Sequence, residues 1–121
     1  MSEPIKSYRD LVAWQKAFLL GVAAHRMCSL LPEAERFGLA AQIRRTAIQI
    51  ASHIAQGYGK GVTGDYLWYL KSARSGLYEL DTQMLFAVEF QYFTQEQYQP
   101  VKSLLDESER VLAGLIRSLG G

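Results

Sequence analysis

Between Leu39 and Gly57 apolar residues recur at steps of three and four. Leu39, Ile43, Ala47, Ile50 and Ile54 fall on one line of a helix. Ala41, Ile48, Ala51 and Ala55 widen that line to half the circumference or more, at about 100° per residue. Gln42, Arg45, Gln49, Ser52, His53 and Gln56 share the other side. Arg44 alone breaks the partition, because it projects into the apolar arc beside Ala51 and Ala55. A guanidinium there needs a partner or a route to water. The pattern predicts a helix over 38–57.

The rest of the chain reads as what packs around that helix. Ser7 can cap a first helix over 7–30, with Asp10 in its first turn, after a polar lead at 1–6. That helix carries one stripe of Leu11, Trp14, Phe18, Val22 and His25 and another of Val12, Leu19, Ala23 and Leu30. Ala13, Ala17, Leu20 and Ala24 fill much of the remainder. A helix apolar nearly all round is buried on more than one side. A bundle gives each helix only one inward face, so the surplus predicts an oligomer, with Val12 and Leu19 as interface candidates.

Pro32 and the acids after it predict a short helical turn in the connection. A third helix over 64–90 turns Tyr66, Tyr69, Leu70, Ala73, Leu77, Leu80, Met84, Ala87 and Val88 to the core. Trp68 and Phe86 share a different face, and they too are interface candidates. Glu79 lies between them in azimuth. It is the expected partner of Arg44 in a buried ion pair, within or between protomers. Asp81 is the runner-up, and the alternative is that Arg44 reaches solvent at a helix edge.

Thr94 and Gln97 form a capping-box pattern for a fourth helix over 94–119. Val101, Leu105, Ser108, Leu112, Leu115 and Leu119 keep heptad spacing along it, and Pro100 should kink or delay its start. No strand pattern appears. The expected architecture is all-α: a single domain over 1–121, folded as an antiparallel up-down-up-down four-helix bundle.

Composition and charge add less. Apolar residues make up 49% of the chain, which excludes a disordered polymer. The net charge of +1 predicts no partner, but its distribution is uneven. Residues 1–60 carry eight Lys/Arg and four Asp/Glu, residues 61–121 five and eight, so the halves are +4 and −3. Cys28, the only cysteine, lies on an apolar helix face and reads as a buried structural thiol. There is no signal-peptide pattern and no run of the ~20 apolar residues that a membrane span needs, so the expected location is cytoplasmic.

Candidate chemistry is thin. Gly59 to Gly64 spells G-x-G-x-x-G, but a helix pattern precedes it, where a dinucleotide site needs a strand. Lys60 is followed by glycine, so the Walker pattern fails as well. His25 and His53 are the only histidines, and His25 reads as a core or interface residue. No Cys, His and carboxylate set has ligand spacing, and no Ser or Thr lies in an activating motif. The expectation is no catalysis, no metal, no cofactor and no small-molecule substrate. Arg26, Arg36, Arg44, Arg45, Lys60, Lys71 and Arg74 could contact phosphate backbones, with Tyr58 and Trp68 beside the basic link as stacking candidates. The competing reading of these cations is a solvated face plus an internal ion pair.

Three segments carry a resemblance. Asp10-Leu11…Trp14-Gln15-Lys16-Ala17 is the first, and Phe37-Gly38-Leu39-x-x-Gln42-Ile43-Arg44-Arg45-x-Ala47 with Ile50…Ile54-Ala55-x-Gly57 is the second. The third is Tyr66-Leu67…Leu70…Ala73-Arg74-Ser75-Gly76-Leu77-Tyr78-Glu79-Leu80-Asp81-Thr82-Gln83. Together they resemble the four helix bundle protein family, also called 23S rRNA intervening-sequence proteins, over nearly the whole chain. A distant relative accompanies the reverse transcriptase of diversity-generating retroelements. The resemblance implies a homopentameric ring of bundles with a basic surface, and RNA or a nucleic-acid enzyme as partner. The competing class is a homo-oligomeric scaffold for a protein partner. The family usually has Ser, Asn and Glu where Gln49, His53 and Gln56 stand here.

Overall fold

The computed structural model describes residues 4–121. Of the polar lead expected at 1–6, residues 4–6 have no regular structure and the first three lie outside the described residues. Four α-helices follow: α1 (Val12–Met27), α2 (Leu39–Tyr58), α3 (Thr63–Glu89) and α4 (Gln95–Ser118). Neighbours in chain order are neighbours in space, and α4 closes on α1. One core cluster runs through all four helices, and no strand occurs among the described residues.

The first helix is not continuous over 7–30. Ser7 and Asp10 form a capping box, but it caps a single 3-10 turn, Tyr8–Asp10. Leu11 then adopts an extended conformation, so α1 starts afresh at Val12. The last residues, Cys28–Leu30, tighten into another 3-10 turn. A third, Glu33–Glu35, is the short turn expected after Pro32. Its Glu35 carboxylate caps α2 by accepting from the Leu39 amide at 3.1 Å, and it accepts from the Tyr92 hydroxyl at 2.7 Å. The Tyr92 hydroxyl, and after it the Leu39 amide, hold the Glu35 carboxyl below its ordinary pKa.

Two helices end in a left-handed residue that returns amides to the last carbonyls. Gln91, at φ 64°, closes α3, with Gln91 N–H donating to Val88 O and Tyr92 N–H to Ala87 O. Gly120, at φ 86°, closes α4 in the same way. The α4 start follows the Thr94–Gln97 capping box. Pro100 does not delay it, because the helix runs through Pro100 from Gln95, and the proline is exposed. The amide bond that Pro100 cannot make is thus given up on the wet side, where water replaces it.

The inward faces differ from the expected stripes in three places. On α1 the core takes Ala13, Ala17, Leu20 and Ala24, which lie between the expected stripes, together with Met27. Phe18, Val12 and Leu19 are about half exposed. Four of the core residues of α1 are small or unbranched, which lets the backbone sit close to its neighbours. On α2 the buried set is shifted to include Ala40, Thr46 and Gly57, and Ile48 is 61% exposed. On α4 the heptad holds through Val101, Leu105, Ser108 and Leu112, and then Ile116 replaces Leu115. A straight helix at 3.6 residues per turn drifts away from a 3.5 repeat, and the fourth turn is where the drift tells.

Candidate functional site

Two surfaces concentrate side chains that the core does not use. The first is a groove between α1 and α2. Trp14 stacks on Phe18 at 5.0 Å between ring centroids, and Tyr8 stands edge-on to Trp14 at 5.2 Å. This aromatic ladder forms one wall. Ile48, Ala51 and Ala55 of α2 form the other, and the groove has a volume of about 560 Å³. The helices approach closely at the groove floor. A Cβ on Gly21 would lie 2.9 Å from the Ala47 carbonyl oxygen. His25 lines the far end and is exposed, so it belongs to the groove rim and not to the core.

The second surface lies where α2 turns into α3. Gly61, at φ 73°, makes that turn. It brings Lys60 Nζ to 5.6 Å from the Tyr69 ring centroid. Trp68, 63% exposed, stands edge-on to Tyr69 at 4.9 Å. Tyr58 meets Tyr66 at 6.2 Å, and His53 meets Tyr69 at 6.0 Å. Burial, then the neighbouring Tyr58, raise the Tyr66 hydroxyl above its ordinary pKa, and that hydroxyl has no partner among the described residues.

The structure brings together only part of the expected basic set. Lys60 and Tyr58 share the α2–α3 turn with Trp68, and Lys71 follows Trp68 by about one helical turn. Arg36 is at the opposite end of α2, a helix length of roughly 30 Å away. There it pairs with Glu33 at 3.2 Å and sits over Phe37. Arg45 is exposed on the middle of α2. Arg74 is half-buried beside Tyr78, which donates to Glu109 of α4. The cations therefore do not form one patch. Of the residues that depart from the family pattern, Gln49 and Gln56 are exposed, and His53 packs on Tyr69.

The expected Arg44–Glu79 pair does not form within the chain. Glu79 accepts from the Thr46 hydroxyl at 2.8 Å, on the flank of α2 that meets α3. Arg44 precedes Thr46 by two residues, which places it about 160° away around the helix, on the α1 flank. It joins no ion pair among the described residues and is half-buried in a recess beside Cys28. The runner-up Asp81 is engaged elsewhere. Buried Tyr98 donates to it at 2.6 Å, and Lys102 at 3.2 Å while also pairing with Asp106. Burial, then the bond to Asp81, hold the Tyr98 hydroxyl far above its ordinary pKa, so it stays a donor. Sequence reading missed this pin between α3 and α4. Its only trace was the i, i+4 run of Tyr98, Lys102 and Asp106.

Val12, Leu19, Trp68 and Phe86 are all at least half exposed. Trp68 and Phe86 share the outer face of α3, about 27 Å apart along its axis. No group of three metal-ligating residues occurs among the described residues. No described helix is long and apolar enough to cross a membrane.

Four helices around one core, with an apolar groove and an aromatic–cation cluster on the outside, define an all-α protein of the four-helix type. The model of the 23S rRNA-intervening sequence protein family matches residues 9–114, and the chain belongs to that family. The fold is similar to the crystal structure of a protein of unknown function from the S23 ribosomal protein family of Bacteroides thetaiotaomicron. That similarity has a TM-score of 0.79 at 22% identity and covers 87% of this chain and 98% of the other. No curated protein matches the chain.

Proposed function

We propose that the chain is a non-enzymatic module that works as a homo-oligomer, in which antiparallel up-down-up-down bundles form a homopentameric ring. Links of four and five residues, 59–62 and 90–94, support the antiparallel arrangement. Such links reach at most ~18 Å, too short to return along helices of 20 residues or more. The observation that carries the assembly is the open groove between α1 and α2, walled by large apolar side chains that the bundle leaves half exposed. The outer face of α3 offers Phe86 in return. The +4 and −3 halves make unlike surfaces complementary. Contact between unlike surfaces is head-to-tail, and a head-to-tail contact whose rotation closes makes a ring.

Light scattering at micromolar concentration is expected to give a mass several times 13.6 kDa. Phe18→Glu with Ile48→Glu should return a folded monomer, because charges cannot be buried unpaired in the contact. A monomeric wild type would overturn the assembly.

The cluster of Lys60, Tyr69, Trp68 and Tyr58 favours RNA as the partner, with a nucleic-acid enzyme as the related reading. An exposed indole beside a cation suits base stacking with a phosphate contact. The family description, which names an intervening sequence of 23S rRNA, supports the same choice. Anisotropy of a labelled single-stranded RNA at ~50 mM salt should show binding that falls steeply as salt rises. Lys60→Ala should weaken it about equally across sequences and flatten the salt slope, while Trp68→Ala should cost roughly 1–3 kcal/mol. No binding by the wild type would leave a scaffold with a protein partner.

A further inference from the structure

We propose that the recess between the Cys28–Leu31 segment and the first turns of α2 seats a phosphate dianion, free or as a monoester, between the guanidinium groups of Arg44 and Arg36. The recess has a volume of about 250 Å³ and a mainly polar lining. Arg44 stands half-buried in it with no carboxylate partner among the described residues. A partly desolvated guanidinium is costly unless an anion matches it. Its charge bears on the recess floor. Burial raises the pKa of the Cys28 thiol there, and Arg44 opposes that rise.

Arg36 stands at the mouth, with its guanidinium 5.1 Å from the Phe37 ring and 3.2 Å from a Glu33 carboxylate oxygen. That pair is exposed on both sides, 63% and 84%, and an exposed pair contributes little. An anion of higher charge density can therefore take Arg36 from Glu33. Ser29 adds a hydroxyl to the lining, at present donating to the Arg26 carbonyl at 3.0 Å. Two guanidinium forks suit the terminal oxygens of a phosphate better than one carboxylate, in number of donors and in charge. Two cations against the single carboxylate of Glu33 in the lining disfavour a metal ion, and the polar lining disfavours an apolar ligand. The site is separate from the Lys60–Trp68 cluster, at the other end of α2, and depends neither on RNA binding there nor on assembly.

The test is calorimetry on the full chain at constant ionic strength. It uses inorganic phosphate in one arm and short RNAs with a 5′-phosphate or a 5′-hydroxyl in the other. Inorganic phosphate should bind the wild type below about 10 mM. Arg44→Gln and Arg36→Gln should each weaken binding ~10-fold or more, the cost of losing a charge-assisted hydrogen bond. Glu33→Gln should strengthen it, since the competing carboxylate is gone. Lys60→Gln should leave it unchanged. A preference for the 5′-phosphorylated RNA that is lost in Arg44→Gln assigns the dianion to a nucleic-acid end. Binding of free phosphate alone, with the same variant pattern, assigns it to a small anion. Arg36 is exposed, so its variant should fold, and circular dichroism is the check that Arg44→Gln folds as well. No phosphate binding by the wild type, or binding that neither arginine variant changes, overturns the proposal.

Discussion

Leu20→Ala is expected to cost about 2–5 kcal/mol of stability, while Leu19→Ala next to it stays within about 0.5 kcal/mol. Leu20 is fully buried, at 0% exposure, among core residues of all four helices. Truncating it removes three carbons from a packed interior and leaves a cavity. Helices cannot close that cavity without moving against their other contacts, so the transfer and cavity terms add. Leu19, 52% exposed, has water on its outer side and loses little. Urea denaturation of both variants at one protein concentration reads the difference in midpoint. Repeating it at several concentrations separates the roles. If Leu19 lies in a contact between copies, its cost grows with concentration, whereas that of Leu20 does not. Equal costs at high dilution would show that the inward face of α1 is assigned wrongly.

Gly57→Ala should destabilise the fold by about 1–3 kcal/mol, against the helix propensity that favours alanine by up to ~1 kcal/mol. An added Cβ at this position would meet the Tyr69 Cβ at 2.6 Å and the Tyr66 carbonyl oxygen at 3.3 Å. Neither is the tip of a flexible side chain. The last turn of α2 must move away from α3, and the Tyr66, Tyr69 and Trp68 rings move with it. Thermal melting should drop by several degrees, and Trp68 fluorescence should shift. Gly114→Ala is the control. Its nearest neighbour is the Arg117 guanidinium at 3.8 Å, so there the propensity gain stands alone and stability rises by up to ~1 kcal/mol. If both variants are stabilised, α2 and α3 do not approach as closely as their backbones indicate.

Much of the fold was legible before any coordinates. Helix existence, the links and three caps follow from local chemistry: Ser7 with Asp10, Thr94 with Gln97, and the terminal glycines. The core face of α3 was also readable, because its large residues fall on one line and its polar residues on another. The face of α1 was not. Its large apolar residues lie on both flanks, and the core takes the small ones between them. Periodicity ranks faces by hydrophobicity, but packing ranks them by how closely a backbone must approach, and Gly21 over Ala47 shows that approach is the stronger demand here.

The candidate sites divide in the same way. The basic residues are visible in the sequence, but helix length separates Arg36 from Lys60, and only the turn at Gly61 lays Lys60 over Tyr69. The oddity of Arg44 was visible as well, in a single azimuth. What it faces was not, because an azimuth says which flank a side chain takes and not which helix stands there. The sequence alone determined four amphipathic helices, where α2, α3 and α4 start and stop to within a residue, and that apolar surface exceeds what one bundle can bury. Only the tertiary structure decided that α1 covers the Arg44 flank of α2 and α3 the Thr46 flank. That choice pairs Glu79 with Thr46 and leaves Arg44 facing a recess. The physical reason is that local hydrogen bonds and periodicity act within a few residues. Which helix lies against which flank depends on the shapes of four surfaces at once.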